Sequence, residues 1–216
     1  NLITLLQQQS LDKLQYLIID EIQLVEDREE VINGVYSAYP SLIILLTGSN
    51  SNLLSSEIAT NFRGRSYQIY VYPFDISEYT LFHNIAMNRF GMEQYLKDTG
   101  LPMVQYFPDP AYIIQELINV VFLKDIVERY AIKDIDLLRS IFGFIISNIG
   151  NITNLAKIAE HLQHIGYVIN LNTIGNYIEY LKNSLLVYEC PLYDIQGKKI
   201  FDKLRKFYIA DHGLRN

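Results

Sequence analysis

The chain has 216 residues, half of them hydrophobic, and a formal net charge of −6. This length and composition allow a sizeable core and favour two domains, while the acidic balance argues against a surface coated by nucleic acid. The single cysteine excludes an intramolecular disulfide. No apolar run approaches a membrane span and no signal peptide opens the chain, so we expect a cytoplasmic protein with no membrane partner.

The first third of the chain alternates between strand and helix patterns. Residues 14–20 form a continuous apolar run that ends in an acid, as expected of a buried parallel strand. A helix is predicted over 27–38, a second buried strand over 42–46, a short helix over 52–59 and a third strand over 68–72. Strands that alternate with helices in this way indicate a parallel sheet.

The rest of the chain is mainly helical in pattern. Helices are predicted over 76–90, 93–97, 111–130, 134–148, 154–163 and 173–185. Asn172 is the predicted cap of the last helix, and a hairpin of strands over 186–193 and 206–210 follows it. The order helix, turn, helix and hairpin is typical of a winged helix. Cys190 lies in this hairpin and is predicted to be buried.

Two carboxylates end the first strand, in the run YLIIDE of residues 16–21. The strand would place Asp20 at the carboxyl edge of the sheet, where ligands of parallel sheets bind. There Asp20 could bind Mg²⁺ directly or through a water, and Glu21 could orient the water that attacks a γ-phosphate. We interpret the run as a Walker B motif; the alternative is that the acids only cap the next helix.

Small polar residues follow the second strand. Thr47, Ser49 and Asn50 would lie at the neighbouring edge, where such groups can hydrogen-bond the γ-phosphate or the lytic water, the role called sensor 1. A plain turn after a strand is the alternative. Arg65 follows in the run FRGRS and could reach a phosphate in its own or a neighbouring subunit, although a loop arginine is more often only solvated.

Five segments, taken in order, resemble one protein family: LIIDEIQ, LLTGSNSNLL, FRGRSYQIYVYPFDISEY, FLKDIVERYAIKD and KFYIADHGLRN. The chain is similar to the bacterial and archaeal AAA-type ATPases that are joined to a C-terminal domain of unknown function. The resemblance implies ATP and Mg²⁺ as cofactors, with Asp20 and Glu21 as the Walker B pair, Ser49 on the sensor strand and Arg65 in a Gly-Arg motif.

The resemblance also implies a fold class, α/β followed by all-α with a winged-helix-like end. Its expected domains are a partial P-loop ATPase core over 1–75, a helical lid-like region over 76–145 and a winged-helix-like domain over 146–216. A restriction-endonuclease-like fold would follow the Gly-Leu-Arg-Asn motif.

The chain departs from the family pattern before Leu14, where nothing resembles the phosphate loop Gly-x-x-x-x-Gly-Lys-Ser/Thr. We therefore expect an internal fragment that lacks both this loop and the nuclease-like domain. The intact protein is expected to be an ATP-binding and ATP-hydrolysing switch. Without the loop, the fragment is expected neither to bind ATP tightly nor to hydrolyse it.

The last part of the chain invites a DNA-binding hypothesis, because residues 151–216 carry eight Lys or Arg against six Asp or Glu. The candidate nucleic-acid contacts on the second helix and the hairpin are Asn172, Asn176, Tyr180, Lys198, Lys199 and Lys206. Two alternatives to the ATPase therefore stay open: a DNA-binding winged-helix regulator, or a protein-interaction scaffold with a vestigial ATPase half.

Overall fold

The structure is a computed structural model that describes residues 16–48, 65–107, 109–195, 197 and 199–215. The chain divides into two compact units, Asn1–Ile69 and Tyr70–Asn216. It is a mixed α/β structure in which the strand–helix–strand part comes first and a mainly helical part follows. None of the helices among these residues is long and apolar enough to cross a membrane.

The first unit contains a parallel pair of strands with a helix between them. Strand β1 is Tyr16–Ile19, helix α1 is Arg28–Ala38 and strand β2 is Ile43–Leu46. The register runs from the pair Tyr16↔Ile43 to the pair Ile19↔Leu46. The two apolar runs of the sequence thus form neighbouring parallel strands, as predicted.

Helix α1 covers one face of this sheet. Buried Ile32 and Val35 of the helix pack against alternate strand residues, among them Leu17 and Ile44. The strand residues of the other face are exposed: Tyr16, Ile18, Ile43 and Leu45. Because parallel sheets are normally covered on both faces, this second face has the composition of a buried surface although it is exposed here.

The predicted third strand over 68–72 is wrong. Residues 66–72 are outside any strand or helix, and among the described residues their backbone pairs with no strand. Tyr67, Ile69 and Val71 are exposed by 90%, 71% and 91%, so one side of this segment contacts almost nothing. Its β-branched and aromatic residues suit a strand, but a strand also needs a neighbouring edge. The predicted helix over 52–59 lies outside the described residues.

The second unit contains six α-helices within the described part of the chain: α2 Ile76–Phe82, α3 Arg89–Lys97, α4 Pro110–Val120, α5 Ile135–Ser147, α6 Leu155–His164 and α7 Leu171–Asn183. Helix α4 continues into a π-helix, Val121–Glu128. The single helix predicted over 76–90 is interrupted because Asn84 adopts a left-handed conformation (φ 52°). Asn88 then caps α3 by accepting a hydrogen bond from Gly91 N at 3.1 Å.

A β-hairpin completes this unit. Strand β3, Val187–Asp194, pairs antiparallel with β4, Lys199–Ile209, and the register shifts between Pro191 and Leu192. An isolated antiparallel bridge joins Thr153, between α5 and α6, to Arg205 of β4. Helices α5, α6 and α7 pack around a common core with the hairpin, and its fully buried members include Leu138, Ile141, Ile158, Ile174, Leu181 and Phe207.

Two local predictions in this unit are wrong. The cap of α7 is Asn170, whose Oδ1 accepts a hydrogen bond from Asn172 N at 2.8 Å, so the helix begins two residues before the predicted start. Cys190 is exposed. It lies an odd number of residues from buried Val187, and the period of two along a strand places it on the other face of the hairpin.

Candidate functional site

Asp20 and Thr47 meet at the carboxyl edge of the β1–β2 pair. Asp20 is the first residue after β1 and Thr47 is the first residue after β2. The strands end at the paired residues Ile19 and Leu46, so Asp20 and Thr47 lie side by side. The Thr47 hydroxyl donates a hydrogen bond to Asp20 Oδ1 and accepts one from the Glu21 backbone N–H at 3.2 Å. Thr47 therefore fixes both the carboxylate of Asp20 and the backbone of Glu21.

Glu21 has an unusual backbone conformation at this edge. Its φ and ψ are both 51°, in the left-handed region that residues other than glycine, asparagine and aspartate rarely adopt. Ile22, the first residue of the 3₁₀ turn that follows, donates its N–H to Thr47 O at 3.0 Å. Strained residues of this kind are concentrated at functional sites, where the surrounding structure holds them in place.

The donor set at this edge fits a hard divalent cation such as Mg²⁺. Asp20 is exposed, and its second carboxylate oxygen has no hydrogen-bond partner among the described residues. A carboxylate is the protein ligand that Mg²⁺ prefers, and Mg²⁺ keeps several waters when only one or two protein groups reach it. Asp20 is thus the residue best placed to hold the ion, with Thr47 beside it.

The other predicted residues of the ATPase site are not all placed. Ser49 and Asn50 lie outside the described residues. The guanidinium of Arg65 lies 5.3 Å from the centre of the Tyr36 ring, on the last turns of α1, in a cation–π contact. Asp20, Glu21 and Thr47 are therefore the predicted site residues that the structure brings together.

The candidate nucleic-acid residues are spread over α7 and the hairpin. Asn172 and Asn176 are exposed on α7, whereas Tyr180 is partly buried and its ring stacks on Tyr130 at 3.8 Å between centroids. Lys206 is partly exposed on β4. Lys198 and the side chain of Lys199 lie outside the described residues.

A buried carboxylate at the end of the hairpin was not predicted from the sequence. Asp211 is 4% exposed and accepts three hydrogen bonds, from the Thr99 hydroxyl at 2.6 Å, Gly100 N at 2.7 Å and Gly213 N at 2.8 Å. His212 Nε2 also bonds the carbonyl of Tyr95. These contacts tie the end of the chain to the loop after α3, and the run ADHG was their only sequence signal.

The chain matches two family models. Residues 1–80 match an AAA domain, which confirms the AAA-type resemblance for the first part of the chain. Residues 92–216 match a domain of unknown function (DUF8612), so the chain belongs to the family that this domain defines.

Two relatives from distant organisms match almost the whole chain. An uncharacterized protein of Haemophilus influenzae is 33% identical over 206 residues, which are 93% of this chain and 51% of the relative. An uncharacterized protein of Methanocaldococcus jannaschii is 27% identical over 216 residues, which are 94% of this chain and 48% of the relative. The chain thus spans about half the length of each.

Proposed function

We propose that the intact protein is an ATP-driven molecular switch whose AAA domain binds ATP with Mg²⁺ and hydrolyses it. The observation that carries this proposal is the contact of Asp20 with Thr47 at the carboxyl edge of two parallel strands, inside the region that matches an AAA domain. Ligands of parallel sheets bind at this edge.

Each residue of the edge has a distinct proposed role. Asp20 holds the magnesium ion, which when bound neutralises charge on the phosphates. Thr47 keeps the Asp20 carboxylate in place and, as a polar group after the sensor strand, is proposed to contact the γ-phosphate. Glu21 orients and polarises the attacking water, and Ser49, Asn50 and Arg65 are proposed to contact the phosphates or the water.

The β1–β2 pair of the first unit is proposed to be only part of a larger sheet in the intact protein. The exposed apolar face of β1 and β2 favours this, because such a face normally carries a further layer. The phosphate loop would then be supplied by the rest of the intact protein, and hydrolysis would reorient the helical part.

The experiment is a substitution of Glu21 by glutamine in the intact protein. We expect Glu21→Gln to lower ATP hydrolysis at least about a hundred-fold while ATP still binds, because the amide cannot polarise the water. Glu30→Gln, an exposed acid in the first turn of α1, is the matched control and should hydrolyse ATP normally. Unchanged turnover in Glu21→Gln would remove Glu21 from its role.

The 216-residue chain by itself is expected to lack this activity. Without the backbone amides and lysine of a phosphate loop, the triphosphate loses its main contacts. A purified sample of the chain whose ATP turnover disappeared on Glu21→Gln substitution would contradict this expectation.

A winged-helix role of the second unit is the second candidate. The order of α5, α6, α7 and the hairpin supports it, together with the bridge from Thr153 to Arg205. Its basic side chains are partly neutralised, since Glu189 pairs with Arg205 and with Lys182, each at 2.6 Å. We therefore favour a protein contact for this unit over DNA; a salt-dependent gel shift with duplex DNA would reverse that preference.

A further inference from the structure

A cleft with a volume of about 340 Å³ lies within the unit Tyr70–Asn216. Its side chains include three tyrosines, one histidine and one exposed acid: Tyr72, Tyr95, Tyr208, His212 and Asp75. It takes no part in the nucleotide site proposed above. Its size is at the lower end of the range of small-molecule sites, so it suits one small group or one side chain.

The aromatic walls of the cleft are partly fixed and partly free. The Tyr95 hydroxyl donates to the Phe74 carbonyl at 2.8 Å, and the Tyr95 and His212 rings meet edge-on with centroids 4.4 Å apart. Tyr72 and Tyr208 are exposed by 59% and 42%, and their hydroxyls make no hydrogen bond within the described part of the chain. The Tyr72 ring stacks on Tyr70 with centroids 6.2 Å apart, and a tyrosine ring attracts organic cations at a face that is left open.

The acid in the cleft has an unused oxygen. Asp75 Oδ1 accepts from Ser77 N at 2.8 Å, Ser77 Oγ at 2.6 Å and Glu78 N at 2.9 Å. Its Oδ2 has no hydrogen-bond partner among the described residues. The hydrogen bonds, first of all that from the Ser77 hydroxyl, hold the pKa of the Asp75 carboxyl below its ordinary value. The carboxylate is therefore charged at neutral pH and open on one side.

The electrostatic environment of the cleft is negative. Burial raises the pKa of the Tyr95 phenol, and the charges of Asp211, Asp75 and Glu78 raise it further. Asp211 also lines the cleft, but both its oxygens already accept hydrogen bonds. A cation would thus meet two carboxylate charges and, among the described lining residues, no lysine or arginine.

We propose that this cleft binds the guanidinium or ammonium group of an arginine or lysine side chain from a protein partner. The cation lies against the faces of Tyr72 and Tyr208 and donates a hydrogen bond to the free oxygen of Asp75.

The test is a titration followed by the backbone amide resonances of residues 72–75 and 208–212 in the 216-residue chain. The probe is the capped peptide Gly-Gly-Arg-Gly-Gly, and its control carries citrulline, which has the shape of arginine without the charge. We expect saturable shifts with the arginine peptide, with a dissociation constant on the order of 1 mM, and none with the citrulline peptide.

Two substitutions locate the site. Asp75→Asn keeps a helix cap and should weaken binding roughly three- to ten-fold. Asp109→Asn makes the same change at the exposed cap of α4 and should leave binding unchanged. Tyr208→Leu should weaken binding by a similar factor, whereas Tyr208→Phe, which keeps the ring, should not.

Several outcomes would overturn the proposal. Equal shifts with the citrulline peptide would show that charge is irrelevant, and full affinity in both Asp75→Asn and Tyr208→Leu would place binding elsewhere. Methylguanidinium alone is the last probe; affinity equal to that of the peptide would assign the cleft to a free small cation instead of a partner side chain. Absence of any shift at tens of millimolar peptide would end the proposal.

Discussion

Glu21 combines a strained backbone with a position beside the proposed phosphate site. An L-residue in the left-handed region places its Cβ against the following carbonyl, and the Thr47 side chain and the adjoining ladder hold it there. This conformation is a cost to stability, and Leu185 and Ala131, outside the proposed site, bear the same cost, so the strain at Glu21 is consistent with a functional role without requiring one.

Glycine at position 21 should make the first unit more stable than alanine does. We expect Glu21→Gly to be more stable than Glu21→Ala by about 1 kcal/mol, because glycine adopts the left-handed conformation without steric cost. Urea unfolding of the two variants measures the difference, and the alanine variant serves as the control for loss of the side chain. Equal stability of the two would mean that the turn relaxes when Glu21 is replaced.

Tyr79 makes stability sensitive to alkaline pH. Its hydroxyl donates to Asp98 Oδ2 at 2.9 Å; burial, followed by this hydrogen bond, raises its pKa from 10.0 to about 12. The folded state holds the phenol proton more tightly than the unfolded state, so the protonated phenol stabilises the fold. This contribution to the free energy of unfolding is complete below pH 10 and is lost as the pH rises from 10 to 12.

Tyr79→Phe should therefore reduce the loss of stability over that interval. Unfolding free energies at several pH values between 9 and 12 measure the slope, and Tyr112→Phe, at an exposed tyrosine of α4, is the control. The slope of the Tyr79→Phe variant would equal that of the parent chain if the phenol titrated alike in both states.

At the scale of elements, the 3₁₀ turn His212–Leu214 packs tightly on the loop after α3. A Cβ at Gly213 would lie 2.6 Å from the Thr99 Cβ and 2.8 Å from Asp211 Oδ1. Glycine is therefore required for the close approach that lets Asp211 reach Thr99 and Gly100.

Gly213→Ala should accordingly destabilise the second unit by about 1–3 kcal/mol. The control is Gly143→Ala in α5, where a Cβ meets no atom within 4 Å and the gain in helix propensity should stabilise by about 0.5–1 kcal/mol. Chemical denaturation of both variants measures the two changes in the free energy of unfolding. An unchanged free energy in Gly213→Ala would show that the turn can shift away from Thr99.

Elements whose signals are local could be predicted from the sequence. The apolar runs and Pro40 located β1, α1 and β2, and parallel pairing then brought Asp20 and Thr47 together. The features that could not be predicted from the sequence depend on a partner that is distant in sequence. The segment 66–72 has the composition of a strand but no strand beside it in the described part of the chain, and the contact from Asp211 to Thr99 joins residues 112 positions apart. The same holds for the tyrosine-lined cleft, whose walls come from four separate stretches of the chain.

At the scale of the whole molecule, the second unit has a core of its own. The buried residues of its main cluster all lie between Ile126 and Phe207. They are on the π-helix, helices α5 to α7 and the hairpin, except Ile132 and Leu186, which lie on the connections between these elements. A single continuous core of this kind, in a segment of ordinary domain size, is sufficient for independent folding.

Residues 70–216 expressed alone should therefore unfold in one cooperative transition, as followed by circular dichroism in urea. Within that segment Ile141→Ala should cost about 2–5 kcal/mol, because Ile141 is completely buried. A gradual, non-cooperative loss of helix would contradict the assignment of an independent unit.

The unpaired segment 66–72 has a consequence for how the chain behaves in solution. It presents Tyr67, Ile69 and Val71 in a row, beside backbone groups that pair with no strand among the described residues. Uncharged and rich in strand-forming residues, it is the type of segment along which identical chains associate by strand pairing. Self-association of this chain should therefore increase with concentration, and a lysine in place of Val71 should oppose it.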